Sequence, residues 1–304
     1  MSSRHRLVSR QSKTFTRRRR ERMSIVIGAL VITLIAITFG FSRLTMISAL
    51  TIDSIAVEGT EGDADLAQTL RAVAEEAIGG EYLGLFSRSN ILIYPRRRIE
   101  AATIAASPRI METDVRALDR RTIAVTVRQR DPSAVVCASL PDFDGATLAI
   151  DEAKSCYFAD AEGLLYRVAP QFSGYSHRRY YIPSLATSSP DAEAGVLALD
   201  PTRFRALQDL YDAVRAHGIL AEAILVKDDG EYELYARNLA VSEDDQTAST
   251  VVIYFSAATD LTEEIANLVS FWEHMMRPAS SDNQPVSFEY IDVRYGPNVF
   301  YRTI

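Results

Sequence analysis

The chain has 304 residues, 47% of them hydrophobic, and a net charge of −7, which is room for two domains of ordinary size. The charge is unevenly placed: residues 1–23 hold eight Arg and Lys13 against Glu21, a net of +8, which leaves −15 for the remainder. A remainder that acidic argues against nucleic acid or anionic lipid as its main partner.

Ser24 to Phe41 reads SIVIGALVITLIAITFGF, eighteen residues with no charge and no Pro. At about 1.5 Å per residue such a helix covers roughly 27 Å, close to the hydrocarbon thickness of a bilayer. Thr33 and Thr38 are compatible with it, since a helical Thr bonds its hydroxyl back to the preceding turn. The run is longer than the apolar core of a cleaved signal peptide, and Ile47-Ser48-Ala49 is a poor cleavage site. Residues 24–42 therefore read as the only transmembrane helix, crossing the lipid bilayer after a basic, unstructured tail over 1–23. Arg17, Arg18, Arg19, Arg20 and Arg22 are the topology determinants, because cationic flanks stay on the cytoplasmic side. They put the tail inside and the C-terminus outside a plasma or inner membrane. A twin-arginine signal or a nucleic-acid patch is the competing reading of the four consecutive arginines.

Only about ten residues follow before Ile52 to Val57, a strand ended by Glu58-Gly59. A tether that short holds the next domain within roughly 35 Å of the membrane. Asp63 or Asp65 caps a helix to about Ile78, with Leu66, Leu70, Val73, Ala74 and Ala77 on one face, and Gly79-Gly80 stops it. Pro95 opens a second helix that Ser107-Pro108 closes. Ile110 to Ala117 and Thr122 to Arg128 are strands joined at Asp119-Arg120. Strand, helix, helix, strand, strand in this order implies helices on one face of a small three-stranded sheet.

From Val135 the chain is strand-rich. Tyr157 to Tyr166 reads as a hairpin, Tyr181-Ile182-Pro183 as a short strand, and residues 184–195 as a loop. Asp200-Pro201 starts a helix bearing Phe204, Leu207, Tyr211 and Val214, ended by His217-Gly218. Asp228-Asp229-Gly230 turns a second hairpin, and Val251 to Phe255 is a further strand. Asp260 with Glu263 opens a helix with Leu261, Ile265, Leu268, Val269 and Trp272 on one side. The final element, Val286 to Tyr301, reads as one strand in which Phe288, Tyr290, Asp292 and Arg294 alternate with Glu289, Ile291, Val293 and Tyr295. Neither face is cleanly polar or apolar, which suits a strand whose second face or edge meets a partner.

The β-α-α-β-β module beside a single N-terminal anchor resembles the POTRA domain. Val127-Arg128-Gln129-Arg130-Asp131-Pro132-Ser133-Ala134 is similar to the "V-x-E-R-x-P-x-A" junction of the FtsQ/DivIB family of bacterial cell-division proteins, with Gln129 in place of the usual Glu. Asp160-Ala161-Glu162-Gly163 is similar to the family's "D-x-x-G" hairpin, and Tyr290-Ile291-Asp292-Val293-Arg294-Tyr295 to its "(Y)-I-D-L-R-Y/F" strand, with Val293 for Leu. The resemblance implies an α+β protein with a POTRA-like domain over 50–130 and a mixed, mostly antiparallel β domain with flanking helices over 131–304. It further implies a scaffold at the division site rather than an enzyme, whose final strand pairs with an FtsB/DivIC-like protein that in turn binds an FtsL-like one. An FtsK-like contact through the POTRA-like domain is implied as well. Partner binding would fall to Tyr290, Ile291, Asp292, Val293, Arg294 and Tyr295, with Trp272 on the preceding helix either beside the edge or, the favoured alternative, in the core.

The only cysteines, Cys137 and Cys156, fall on the oxidising side of this topology, so a disulfide is expected, with two buried thiols the alternative. His177 among Arg178, Arg179, Tyr180 and Tyr181 marks an exposed, aromatic-rich strand edge, with an anion patch the competing reading. Asp142-x-Asp144-Gly145 lacks the further acidic ligands of a calcium loop and reads as a turn. No nucleophile elbow, zinc motif or phosphate loop occurs, so neither a catalytic site nor a cofactor is expected. The alternative is a membrane-anchored envelope enzyme, of wall-hydrolase type, whose site is assembled from distant residues.

Overall fold

The structure, a computed structural model, describes residues 11–45, 48–138, 156–170, 177–187, 195–237, 250–276 and 286–304. The 140–153 segment with its Asp142-x-Asp144-Gly145 sequence lies outside them. Two compact units emerge: Met1–Ala106 with Glu112–Val127, and Ser107–Met111 with Arg128–Ile304.

The first unit opens with α1, Gln11–Thr45, whose apolar part, Arg22–Arg43, is long enough to cross a membrane. Thr33 and Thr38 donate to Ala29 O and Leu34 O, one turn back, so neither hydroxyl is left unsatisfied in an apolar setting. The helix reaches into the basic segment, which sequence reasoning leaves unstructured. Arg is a good helix former, and extending an existing helix costs far less than starting one.

Strand β1 (Ser54–Glu58) leads to α2 (Ala64–Ile78), then to a small hairpin of β2 (Glu81–Tyr82) and β3 (Phe86–Ser87). Helix α3 (Arg96–Ala106) and strands β4 (Ile110–Ala117) and β5 (Thr122–Gln129) follow. The sheet order is β1-β5-β4, with β1 parallel to β5 in the register Ile55↔Ile123 and Val57↔Val125. Asp63 caps α2 by accepting the Leu66 N–H at 3.0 Å, and Leu66, Leu70, Ala74, Ala77 and Ile78 are buried. Ile99 and Thr103 bury the α3 stripe. Gly59 is required where β1 ends: its φ is +86°, and a Cβ there would collide with Val127 O.

The second unit is built on one mixed sheet of ten strands, in the order β10-β8-β7-β6-β9-β11-β12-β13-β14-β15. Its strands are β6 (Ala134–Cys137), β7 (Cys156–Ala159), β8 (Leu164–Ala169), β9 (Arg178–Tyr181), β10 (Val196–Leu197), β11 (Ala221–Val226), β12 (Glu231–Arg237), β13 (Thr250–Ser256), β14 (Phe288–Tyr295) and β15 (Asn298–Thr303). Helices α4 (Pro201–Ala216) and α5 (Leu261–Met276) contribute Phe204, Leu207, Tyr211, Val214, Leu268 and Trp272 to its main core. Asp200 and Asp260 cap them, each accepting an N–H two residues on at 2.9 Å. Cys137 and Cys156 face each other across β6 and β7 and are joined.

Two expectations change here. β9 lies between β6 and β11, parallel to both, and Tyr180 and Tyr181 are buried, so His177 to Tyr181 is not a strand edge. Parallel pairing joins distant segments, and local sequence carries no sign of it. Val286 to Tyr301 is likewise not one strand but the β14–β15 hairpin, turned at Gly296 with φ +64°.

Candidate partner-binding edge

The hairpin forms the end of the ten-stranded sheet. β14 is paired on both sides: parallel to β13 through Val252↔Tyr290, Ile253↔Ile291 and Tyr254↔Asp292, and antiparallel to β15 through Ile291↔Tyr301 and Asp292↔Phe300. Its backbone is consumed by those ladders, so Tyr290 to Tyr295 does not offer an open edge. β15 does, having a ladder partner on one side only among the described residues. At the opposite end of the sheet, β10 is two residues long.

A bulge explains the mixed faces of β14. Between the pairs Phe288↔Thr303 and Tyr290↔Arg302, two steps on β14 oppose one on β15, and the alternation reverses there. Phe288 therefore joins Ile291 and Val293 in the core under α5, all three fully buried. The other face is polar and internally satisfied. Arg294 grips Asp292 with Nε to Oδ1 at 2.9 Å and Nη2 to Oδ2 at 2.6 Å. Its Nη1 reaches Glu231 Oε1 on β12 at 2.5 Å, while the guanidinium lies 5.1 Å from the Tyr254 ring on β13. The hydrogen bond to Asp292 holds the Arg294 pKa well above its ordinary value. One side chain thus staples three strands behind the edge.

Of the seven residues that sequence reasoning assigns to a partner, Ile291, Val293, Asp292 and Trp272 are buried. Trp272 stacks toward Phe288 at 6.2 Å inside the core, and a residue only 4% exposed is unavailable to a partner. Its neighbour Phe271 is the helix residue at the edge, 5.0 Å from the Tyr301 ring. Tyr290 and Arg294 are half-buried, and Tyr295 is exposed and meets Phe300 edge-on at 5.5 Å. The accessible set is therefore Tyr295, Phe300, Tyr301 and Arg302, with Phe300 53% and Tyr301 46% exposed. Gly296-Pro297 was the available sign of this hairpin, since that dipeptide marks turns. Free edges are normally blunted by short strands, bulges or charge; this one carries two exposed aromatics and a single ion pair, Arg302 with Glu289 at 3.1 Å.

The junction and hairpin motifs meet elsewhere in this unit. Arg130 Nη1 binds Asp160 Oδ2 at 2.5 Å and its Nε donates to Pro108 O at 2.9 Å. Asp160 also accepts the N–H groups of Glu162 and Leu164 at 3.0 and 2.9 Å. At Gly163, with φ +83°, a Cβ would stand 2.8 Å from the Phe204 ring. These residues brace the β7–β8 turn against α4.

His177 and Arg178 line a shallow concavity of about 590 Å³ with Ser133, Tyr211, Asp212 and Arg215. Arg178 is occupied there by Asp212, at 3.0 and 2.6 Å. Among the described residues no group of three His, Cys, Asp or Glu is placed to hold a metal. No protein-family model matches the chain, and no curated protein matches it.

Proposed function

We propose that the chain is a single-pass membrane scaffold of the bacterial cell-division machinery, without catalytic activity of its own. In this reading the basic tail is cytoplasmic, and the acidic chain beyond the apolar span lies outside and concentrates at the division site. The second unit takes up a strand of an FtsB/DivIC-like protein, itself paired with an FtsL-like one, by β-augmentation on β15. Backbone amides and carbonyls of every second residue would supply affinity, and Phe300 and Tyr301 selectivity. The first unit is left for other division proteins, an FtsK-like one among them. The resemblance to the FtsQ/DivIB family supplies the identity of the partners. The observation that carries the binding mode is the one-sided ladder of β15, held rigid from behind by Arg294.

Phe300→Pro and Tyr301→Pro in the full-length protein test it, because consecutive residues of a strand aim their N–H groups to opposite sides. One of the two removes an outward donor and is expected to weaken capture of the FtsB/DivIC-like protein by about tenfold or more. Undiminished capture by both variants, with the sheet intact by circular dichroism, would overturn the proposal.

A further inference from the structure

The end of the small sheet at which β1 begins differs from the rest of an acidic surface. The Asp53 N–H donates to Arg121 O, and the Ile91 N–H to Leu50 O. The β4–β5 turn and the segment after β3 therefore flank the chain entering β1. Helix α1 arrives at the same place: Ser42 Oγ donates to Leu85 O at 2.5 Å, and the Phe41 and Phe86 rings lie 6.0 Å apart. Around these contacts three leucines face outward, Leu83 at 91%, Leu92 at 72% and Leu118 at 50% exposure. Leu83 tips the β2–β3 hairpin with φ +53°, the one positive φ at a non-glycine residue among those described. In water, Gly or Asn would serve that turn better than an exposed Leu. Arg88 lies over the Tyr82 ring at 5.2 Å and Arg43 over Phe39 at 5.3 Å, pairs suited to the headgroup level of a bilayer.

From this geometry we infer that the β2–β3 hairpin is a second membrane contact, in which Leu83, with Leu92 beside it, enters the bilayer interface next to the end of α1. The occupant is lipid because the element that touches the hairpin is the apolar span itself. Phe41 and Ser42 lie within Arg22–Arg43, so a hairpin bonded at Ser42 sits at the boundary of the hydrocarbon. Apolar side chains of interfacial elements reach roughly 5–10 Å into that boundary, and a turn tip two residues from the bonded Leu85 has that reach. Arg88 stays with the phosphates, and the local apolar surface overrides the acidity of the remainder. The first unit is then docked on the membrane instead of swinging on its tether.

The inference rests on α1 spanning the bilayer, and one experiment separates the two. Both native cysteines are joined to each other, so Leu83→Cys, Ile32→Cys and Glu61→Cys each give the full-length protein one free thiol for an environment-sensitive nitrobenzoxadiazole label. Glu61 is exposed in the turn after β1. Each variant is reconstituted into phosphatidylcholine–phosphatidylglycerol vesicles, with nitroxide lipid labelled near the headgroup or deep in the chain. Position 83 is expected to emit blue-shifted and lose most of its signal to the shallow nitroxide, position 32 to the deep one, and position 61 to neither. The effect at 83 should vanish when Leu85→Glu and Leu92→Glu are added, which shows that the label does not itself drive insertion. A water-like, unquenched signal at 83 with position 32 quenched would overturn the hairpin contact alone and leave the leucines to a protein partner. An unquenched position 32 would overturn the anchor and the inference with it.

Discussion

Arg130 and Asp160 show how a short motif serves the fold. The pair is largely withdrawn from water, at 20% and 6% side-chain exposure, and Asp160 also closes its turn through two backbone N–H groups. Removing one partner of a buried pair strands the other charge, so Arg130→Ala is expected to cost about 3 kcal/mol or more in urea unfolding. A loss under about 1 kcal/mol would class the pair with exposed ion pairs. Glu264 gives a prediction in pH. It is 2% exposed, and burial raises its pKa above the ordinary 4.5, against the hydrogen bonds it accepts from Thr259 and the Ser256 N–H. The folded state therefore binds this proton more tightly than the unfolded state does. The group's contribution is fully present below about pH 4.5 and is lost as pH rises through the higher folded pKa. Glu264→Gln keeps an acceptor and cannot titrate. Its denaturation midpoint, relative to wild type, should rise from about pH 4 to about pH 7; a constant difference would refute the assignment.

At the scale of elements, the disulfide, the caps and the terminal hairpin behave differently. Cys137 and Cys156 bridge adjacent strands nineteen residues apart, and the chain-entropy account gives such a closure roughly 3 kcal/mol. Reduction, or Cys137→Ser with Cys156→Ser, should lower the unfolding free energy of the second unit by that amount, read by Trp272 fluorescence in urea, while α2 and β1 are unaffected. What sequence made legible was local chemistry. Asp63, Asp200 and Asp260 cap the helices where side-chain oxygen meets free N–H groups, and Gly59 and Gly163 occupy backbone that no Cβ fits. What stayed hidden was non-local or broke the period. The parallel seat of β9 between β6 and β11 depends on residues more than forty apart in sequence. The bulge at Glu289 inverts the faces of β14 and makes one hairpin read as a single ambiguous strand. The candidate edge consequently moves from Tyr290–Tyr295 to β15, and its helix neighbour from Trp272 to Phe271. Tyr290→Ala is then expected to leave capture of the partner nearly unchanged, while Phe300→Ala with Tyr301→Ala weakens it about tenfold.

For the whole molecule, charge and apolar surface are arranged along the chain: a basic start, an apolar span, and an acidic remainder that ends in an aromatic strand edge. In the proposed reading that arrangement serves binding: a partner's strand would take the last position of the ten-stranded sheet, beside β15. The affinity then depends on a rigid template, since pairing with a frayed strand would add the entropy of ordering it. Arg294→Ala, which unfastens β14 from β12 behind the edge, should weaken binding without touching the partner. Amide hydrogen exchange of the full-length protein, with and without the FtsB/DivIC-like partner, decides whether β15 takes up the partner's strand. New protection is expected at alternate amides of Asn298–Thr303, with unchanged protection in β14, whose ladders are already formed on both sides. Binding that leaves the β15 amides exchanging as in the free protein, with protection gained elsewhere, would contradict it.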